Sequence, residues 1–342
     1  TNTGGLTLGI NGTGGMTVTG IITGTNAATS NLIKDGTGSG KLILTTANTY
    51  AGTTSITTGI VQITNQDALG SSNPGVTGYS TTTIVNGAAL EINGASALTI
   101  SEVINTNGNG PSSTGAIRLI AGAAATTLTG AITAQTATTI NTDITVGTNT
   151  LTIGTGAVTN TGGLTFGTAS AGGITISSAI SGAGTISYTG LGTGQLILSG
   201  TNSYSGVTTI NAGVLKVQNS AALGNSADAS RNTIVKSGAA LQIDGANLTI
   251  PEAITISGTG ISSDGVIRNI SSSTGTNTIS GPITLAAAAE INSDANTLQF
   301  SSAGTINTGT YSLTFGGAGV VSALGEISGS GAITKIDAGS LI

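Results

Sequence analysis

The chain is written in short apolar bursts with two-residue alternation, and Gly, Asn, Ser and Thr fill the gaps between them. Leu196, Ile197 and Leu198 form one burst, Thr208 to Ile210 the next and Val214 to Val217 a third. Bursts of β-branched residues spaced about ten residues apart and punctuated by turn formers predict strand, turn, strand, turn. No window holds apolar residues at helical spacing for long enough to predict a helix. If the strands wind into stacked coils, Ile197 and Ile210 are expected to share one dry core. Thr208 is then expected to tolerate truncation far better than either.

The pattern repeats at long range. Thr1 to Gly9 reads TNTGGLTLG and Thr159 to Gly167 reads TNTGGLTFG. Gly40 to Leu44 (GKLIL) returns as Gly194 to Leu198 (GQLIL), and Tyr50, Gly59, Leu69 and Gly70 return as Tyr204, Gly213, Leu223 and Gly224. Gly115, Ile117 and Arg118 return as Gly265, Ile267 and Arg268, while Leu313 to Gly316 matches Leu164 to Gly167. The offset drifts from 158 to 149 along the way, which places small insertions where turns belong. The chain therefore reads as one continuous segment, 1–342, with long repeats at approximately 1–39, 40–193, 194–340 and 341–342. Each is too long to be one supersecondary unit and must contain several.

Composition narrows the fold. Only 6% of residues are charged, 56 of 342 are Gly, and there are eight aromatics (Tyr 5, Phe 3), one Met and no Trp. Any core must be thin and made of Ile, Leu, Val and Ala, whereas a mean hydropathy of +0.32 with a net charge of -5 argues against disorder. Four prolines (Pro74, Pro111, Pro251, Pro282) and few aromatics disfavour a wide-cored sandwich or barrel. The expected fold is all-β: a parallel β-helix, or β-solenoid. At a solenoid repeat of roughly 20 to 25 residues it would make about 15 coils. Stacked at ~4.8 Å, they give an elongated rod about 70 Å long.

The stretch GQLILSGTNSYSGVTTINAGVLKVQNSAALG, Gly194 to Gly224, resembles the passenger-associated transport repeat, the autotransporter-associated β-strand repeat of Gram-negative secreted passengers. Leu196, Leu198, Gly200, Asn202, Tyr204, Gly206, Thr208, Ile210, Gly213, Leu215 and Val217 occupy its pattern positions. The copy from Gly40 keeps Leu42, Leu44, Asn48, Tyr50, Gly52, Ile56, Gly59 and Val61, with Thr46 where the pattern has Gly. The resemblance implies a right-handed β-helix exported to the outer surface of a Gram-negative cell. It implies no activity, because similar repeats occur in adhesins, surface fibres and the stalks of secreted enzymes. No aromatic-rich run of amphipathic strands suggests the exporting barrel within these residues.

Candidate chemistry is sparse. No His and no Cys removes the commonest general base and the usual transition-metal and thiol chemistry. A pI near 4.4 argues against nucleic acid as a partner, and no apolar run is long enough for a transmembrane helix. GTGSGKL, Gly36 to Leu42, resembles a phosphate loop, but Asp35 stands where the first Gly belongs, Leu42 replaces the magnesium-binding hydroxyl, and the copy has Gln195 for Lys41. None of the Gly pairs beginning at Gly4, Gly14, Gly162, Gly172 or Gly316 leads into a calcium nonapeptide. Acid pairs could do glycoside chemistry without His, yet the thirteen acids are scattered. Glu91 becomes Gln242 and Asp67 becomes Ala221 in the second copy, as solvated surface positions would. Tyr50 and Tyr204 read as corner residues packed beside Asn48 and Asn202 rather than as sugar platforms. Threonine strings such as Thr17 to Thr19 and Thr81 to Thr83 resemble the flat arrays of ice-binding solenoids, but the insertions argue against an unbroken column. Glu102 with Arg118 and Glu252 with Arg268 keep the same separation, which predicts a surface ion pair in each copy.

The function expected is therefore a structural, non-enzymatic segment of a large cell-surface or secreted protein of a Gram-negative bacterium. It serves as stiff fibre or spacer, with adhesion as an added role. The alternatives are a carbohydrate-active β-helix of polysaccharide lyase or hydrolase type and an ice-binding threonine array. No catalytic, cofactor-binding or metal-ligating residue is assigned, and no cofactor is expected. Both ends look cut from a continuing rod, so the expected partner is a longer chain or further copies joined end to end.

Overall fold

The structure is a computed structural model that describes residues 1–342 except 71–80, 121, 225–231 and 271–272; Pro74 and Tyr79 thus lie outside the described residues. The chain divides into two compact units, Thr1–Ser178 and Ala179–Ile342. Each is a parallel β-solenoid, and there are about 13 turns in all against the 15 expected. Among the described residues the helical structure is one 3-10 turn, Pro111–Ser113.

Among the described residues the coils supply short strands to three ladders, of which the third is interrupted. In the first unit, one ladder runs through Leu6–Gly9, Leu32–Asp35, Thr54–Ile56, Thr81–Ile84, Val103–Gly108, the start of Ile132–Thr142 and Val158–Asn160. A second runs through Gly15–Val18, Lys41–Leu44, Ile60–Ile63, Ala89–Ile92, Ile117–Leu119, the end of Ile132–Thr142 and Leu164–Thr168. The third contains Thr23–Gly24 on Thr49–Tyr50, and then Leu98–Ile100, Thr126–Leu128, Thr150–Ile153 and Gly173–Ile176. The second unit repeats the plan. Its first ladder includes Ile186–Gly190, the start of Thr208–Val217, Asn232–Val235, Ala253–Gly258 and the start of Ile283–Ser293. Its second includes Gln195–Leu198, the end of Thr208–Val217, Ala239–Ile243, Ile267–Asn269, the end of Ile283–Ser293 and Leu313–Gly316. Its third runs from Thr249–Ile250 through Thr276–Ile279, Thr297–Phe300 and Val320–Ala323 to Ser340–Leu341.

Register makes the core. Leu42, Val61, Leu90, Ile117, Ile140 and Phe166 stack in one column, each fully buried. Leu196, Leu215, Leu241, Ile267, Ile291 and Phe315 form the equivalent column of the second unit. Aliphatic residues stack on one another along most of each column, and Phe166 and Phe315 each fill one level of their own. Phe315 meets Phe300 from the third ladder with ring centroids 6.4 Å apart, closing one of the wider coils.

Strand parity corrects two expectations. Leu196 and Leu198 point inward, so Ile197 between them takes the outward row and is only half-buried. Ile210 is buried as expected, and Thr208, two residues earlier, is buried on the same face. Two further polar groups sit where the pattern suggests aliphatics. Lys34 is wholly enclosed and donates to the Asp35 carbonyl at 3.0 Å and the Thr58 carbonyl at 3.2 Å. Burial lowers its pKa, with Asp35 opposing. Tyr188 takes the corresponding place in the second copy and donates from its hydroxyl to the Gly194 carbonyl at 2.9 Å. Both long side chains donate to carbonyls at a coil corner, Lys34 to two and Tyr188 to one.

Truncating Leu196 or Ile210 to Ala is expected to cost about 2–5 kcal/mol by lost transfer and cavity terms, against less than about 1 for Ile197→Ala. Denaturant unfolding of the three variants checks the assignment; equal losses at all three would overturn it.

Candidate functional site

The most elaborate side-chain arrangement in either unit is a buried corner, built twice. Asn48 precedes the strand Thr49–Tyr50 and is buried. Its Oδ1 accepts from the Ile22 amide at 2.8 Å, on the preceding coil, and its Nδ2 donates to the Ala68 carbonyl at 2.6 Å, on the following one. Asn202 does the same between the Ile180 amide at 2.9 Å and the Ala222 carbonyl at 2.6 Å. A side-chain amide carries one acceptor and one donor, the same complement as a peptide group, so it continues the ladder where the main chain turns away. Aspartate or leucine could not do both.

The tyrosine two residues later fills the corner. Tyr50 and Tyr204 are fully buried, and their hydroxyls lie 2.6 Å from the Thr54 and Thr208 Oγ1 atoms. Burial, opposed by the threonine hydrogen bond, pushes both phenols well above their ordinary pKa. Glycine closes the space: a Cβ on Gly70, at φ +106°, would stand 2.9 Å from the Tyr50 ring, and Gly224, at φ +97°, lies equally tight on Tyr204. The expectation that the two tyrosines pack inside a corner beside their asparagines holds.

Beneath each corner lies a carboxylate. Glu102 is buried and accepts from the Thr82 hydroxyl at 2.9 Å, Thr82 being stacked on Thr54. Glu252, its counterpart, is equally enclosed, and among the described residues neither carboxylate oxygen has a hydrogen-bond partner. Burial pushes Glu252 up to about 7, and its charge in turn raises Tyr204. The predicted ion pairs are therefore incorrect in both copies. Arg118 binds Glu91 at 2.8 Å and Asp143 through its Nε at 3.0 Å. Arg268 binds Asp264 at 3.1 Å and Asp294 at 2.5 Å. Glu102 and Glu252 have inward parity while the arginines occupy an outward row, so equal spacing in the sequence did not make them neighbours.

The outward row of the second ladder gathers most of the remaining charge. Ile43, Gln62, Glu91, Arg118, Asn141 and Gly167 stack in register. Glu91 is only 3% exposed and also meets Lys41 at 2.6 Å, so it is a ligand of two cations rather than a solvated position. The same contact commits the lysine of the phosphate-loop-like stretch. Its copy Gln242 stacks between Lys216 and Arg268, and Lys216 reaches Asp244 at 3.4 Å. The threonine strings fare differently from expectation. Thr82 points inward and the row through Thr17 continues as Ile43 and Gln62, yet Thr99, Thr127, Thr152 and Thr175 do form an unbroken outward column on the third ladder. It is one residue wide, with Ser101, Thr129, Gly154 and Ser177 two positions on.

The sequence profile of the Passenger-associated-transport-repeat family matches residues 32–63 and 189–217. These two segments are similar to the passenger-associated transport repeat. Each contains an asparagine–tyrosine corner together with the strands before and after it, and the first begins one strand upstream of the Gly40 motif start. The matches cover under a fifth of the chain. No curated protein and no solved structure matches it. Among the described residues no helix is long and apolar enough to cross a membrane.

In chemical terms the repeat is a device for closing coils. Asn202→Ala would orphan the buried Ile180 amide and Ala222 carbonyl, at about 1–3 kcal/mol for each group, and Tyr204→Phe would cost about 1 by leaving Thr208 unpaired. Thermal or denaturant unfolding should rank Asn202→Ala well above Tyr204→Phe.

Glu252 adds a pH dependence. A folded value of about 7 against an ordinary 4.5 means that the folded chain holds a proton the unfolded chain has lost. Stability should fall as pH rises through that window, by on the order of 3 kcal/mol if the whole shift is expressed. Glu252→Gln should be the more stable protein at pH 8 and should flatten the profile between pH 5 and 8; unchanged pH dependence in the variant would refute this.

Proposed function

We propose that the chain is a non-enzymatic structural segment of a larger exported protein of a Gram-negative bacterium, displayed at the cell surface or secreted, where it serves as a stiff fibre or spacer. The observation that carries this reading is the doubled asparagine–tyrosine corner, which coincides with the two passenger-associated transport repeats. Its residues spend their polar atoms on neighbouring coils. Tyr50, Tyr204, Asn48 and Asn202 are buried and hydrogen-bonded, so they hold the stack together and offer nothing to a substrate. The ionised groups of the second ladder are likewise bound to one another. Parallel ladders tied at every turn resist bending because any bend must break hydrogen bonds on one side.

The test is to shorten the parent protein by these 342 residues and image it on cells by electron microscopy. A surface projection that becomes shorter while the protein is still exported supports the spacer reading. Unchanged projections, or depolymerisation of a polysaccharide by the isolated chain, would overturn it.

A further inference from the structure

The first unit carries a surface depression at the corner between its first and second ladders, lined by Val85, Asn86, Asn107, Asn109, Thr136 and Ala137. Its shape comes from the backbone. Opposite Thr106 to Gly108, the partner strand bulges, with Ala134 and Thr138 in register but three residues, Gln135 to Ala137, pushed outward. A tight loop rims the other side. Gly115 donates to the Asn109 carbonyl at 2.7 Å, and Ser112 and Ser113 turn the chain at φ +51° and +60°.

The second unit repeats this backbone and discards the side chains. Leu285 and Ala289 flank the same bulge opposite Ile256 and Gly258, and Ser262 and Ser263 turn the same loop at φ +57° and +60°. Yet Ser237, Ser257 and Thr259 stand for Asn86, Asn107 and Asn109, and Ala286 and Ala287 stand for Gln135 and Thr136. The bulge and loop thus form without a single amide, so the fold does not need the amides of the first copy. They are also exposed or half-exposed and only partly used. Asn86 has no hydrogen-bond partner among the described residues, and its carbonyl oxygen lies over Gly108, where a Cβ would come within 2.0 Å. Thr139 donates to the Asn109 Oδ1 at 2.8 Å, which fixes that amide and leaves its NH2 facing out. Asn107 makes long contacts only, at 3.5 Å to Gln135 and to Thr136, whose hydroxyl accepts from the Gly108 amide at 3.2 Å.

We propose that this depression is a binding site for a neutral oligosaccharide. Amides and a hydroxyl on a fixed backbone offer paired donors and acceptors, the complement of adjacent sugar hydroxyls, and Val85 with Ala137 offers small apolar ground for a ring face. The lining holds no charge to select an acidic or basic ligand. The site adds an adhesive function to the scaffold and rests on that reading for its setting at a cell surface.

The experiment uses the full chain against maltohexaose, cellohexaose and chitohexaose, with a hexagalacturonate as acidic probe, by calorimetry and by saturation-transfer NMR. The variant carries Asn86→Ser, Asn107→Ser, Asn109→Thr, Gln135→Ala and Thr136→Ala, which are the residues the second copy already tolerates. Binding of at least one neutral probe, weakened about tenfold or more in the variant while its unfolding transition is unchanged, is the expected result. Binding to no neutral probe, preference for the acidic one, or equal binding by the variant would each overturn the site. Because the variant's unfolding is followed alongside, such a failure leaves the scaffold reading standing, whereas loss of the solenoid's cooperative unfolding in the parent chain would strike at the scaffold itself.

Discussion

Along the ladders each backbone amide finds its partner one coil above or below, and the rest of the structure follows from that demand. Strands supply the bonds along their length, but at each corner the main chain turns and its N–H and C=O groups point out of register. Gly takes many of these corners because it alone reaches the required positive φ without cost, as Gly70 and Gly224 do against the tyrosine rings. Where a carbonyl and an amide face each other across a gap too wide for a direct bond, Asn48 and Asn202 fill it.

That solution explains why so poor a composition holds a fold. Stacked columns of aliphatics such as Leu196, Leu215 and Leu241 fill most levels of the interior, and single large side chains such as Tyr50, Tyr204, Phe166 and Phe315 fill the rest. Polar closure at the corners completes the coils. The interior accepts Lys34, Tyr188, Glu102 and Thr208 because each side chain reaches a donor or acceptor already in place. Glu252 departs from this rule: among the described residues neither of its enclosed oxygens has a hydrogen-bond partner, and its burial raises its pKa.

The two long repeats also separate what the scaffold requires from what each copy adds. Tyrosine, asparagine and their flanking glycine recur with the same contacts, and the arginine of the outward row keeps one acid at the equivalent place, Asp143 or Asp294, while the other changes from Glu91 to Asp264. The bulge beside the serine turn recurs in backbone while its side chains change wholesale. Stacked coils allow this freedom because an outward residue touches only rungs close to it, at most two away for Lys41 and Glu91, so a change there need not propagate along the stack.

The sequence by itself determined the class of fold, since two-residue alternation with small aliphatics and Gly-rich turns has few other outcomes, and it located the corner, since Asn, Tyr and Gly recur at fixed intervals. Tertiary structure alone decided which face of each strand points inward, and there Ile197 and Thr208 came out reversed. A three-residue apolar burst does not reveal its own parity; only the register of the coils above and below sets it, and a shift of one residue exchanges core for surface. Pairing between charges was hidden for the same reason. Glu91 meets Lys41 two coils away and Arg118 one coil away, 50 and 27 residues distant in the chain, and no fixed spacing encodes a neighbour whose distance depends on how many residues each intervening corner consumes.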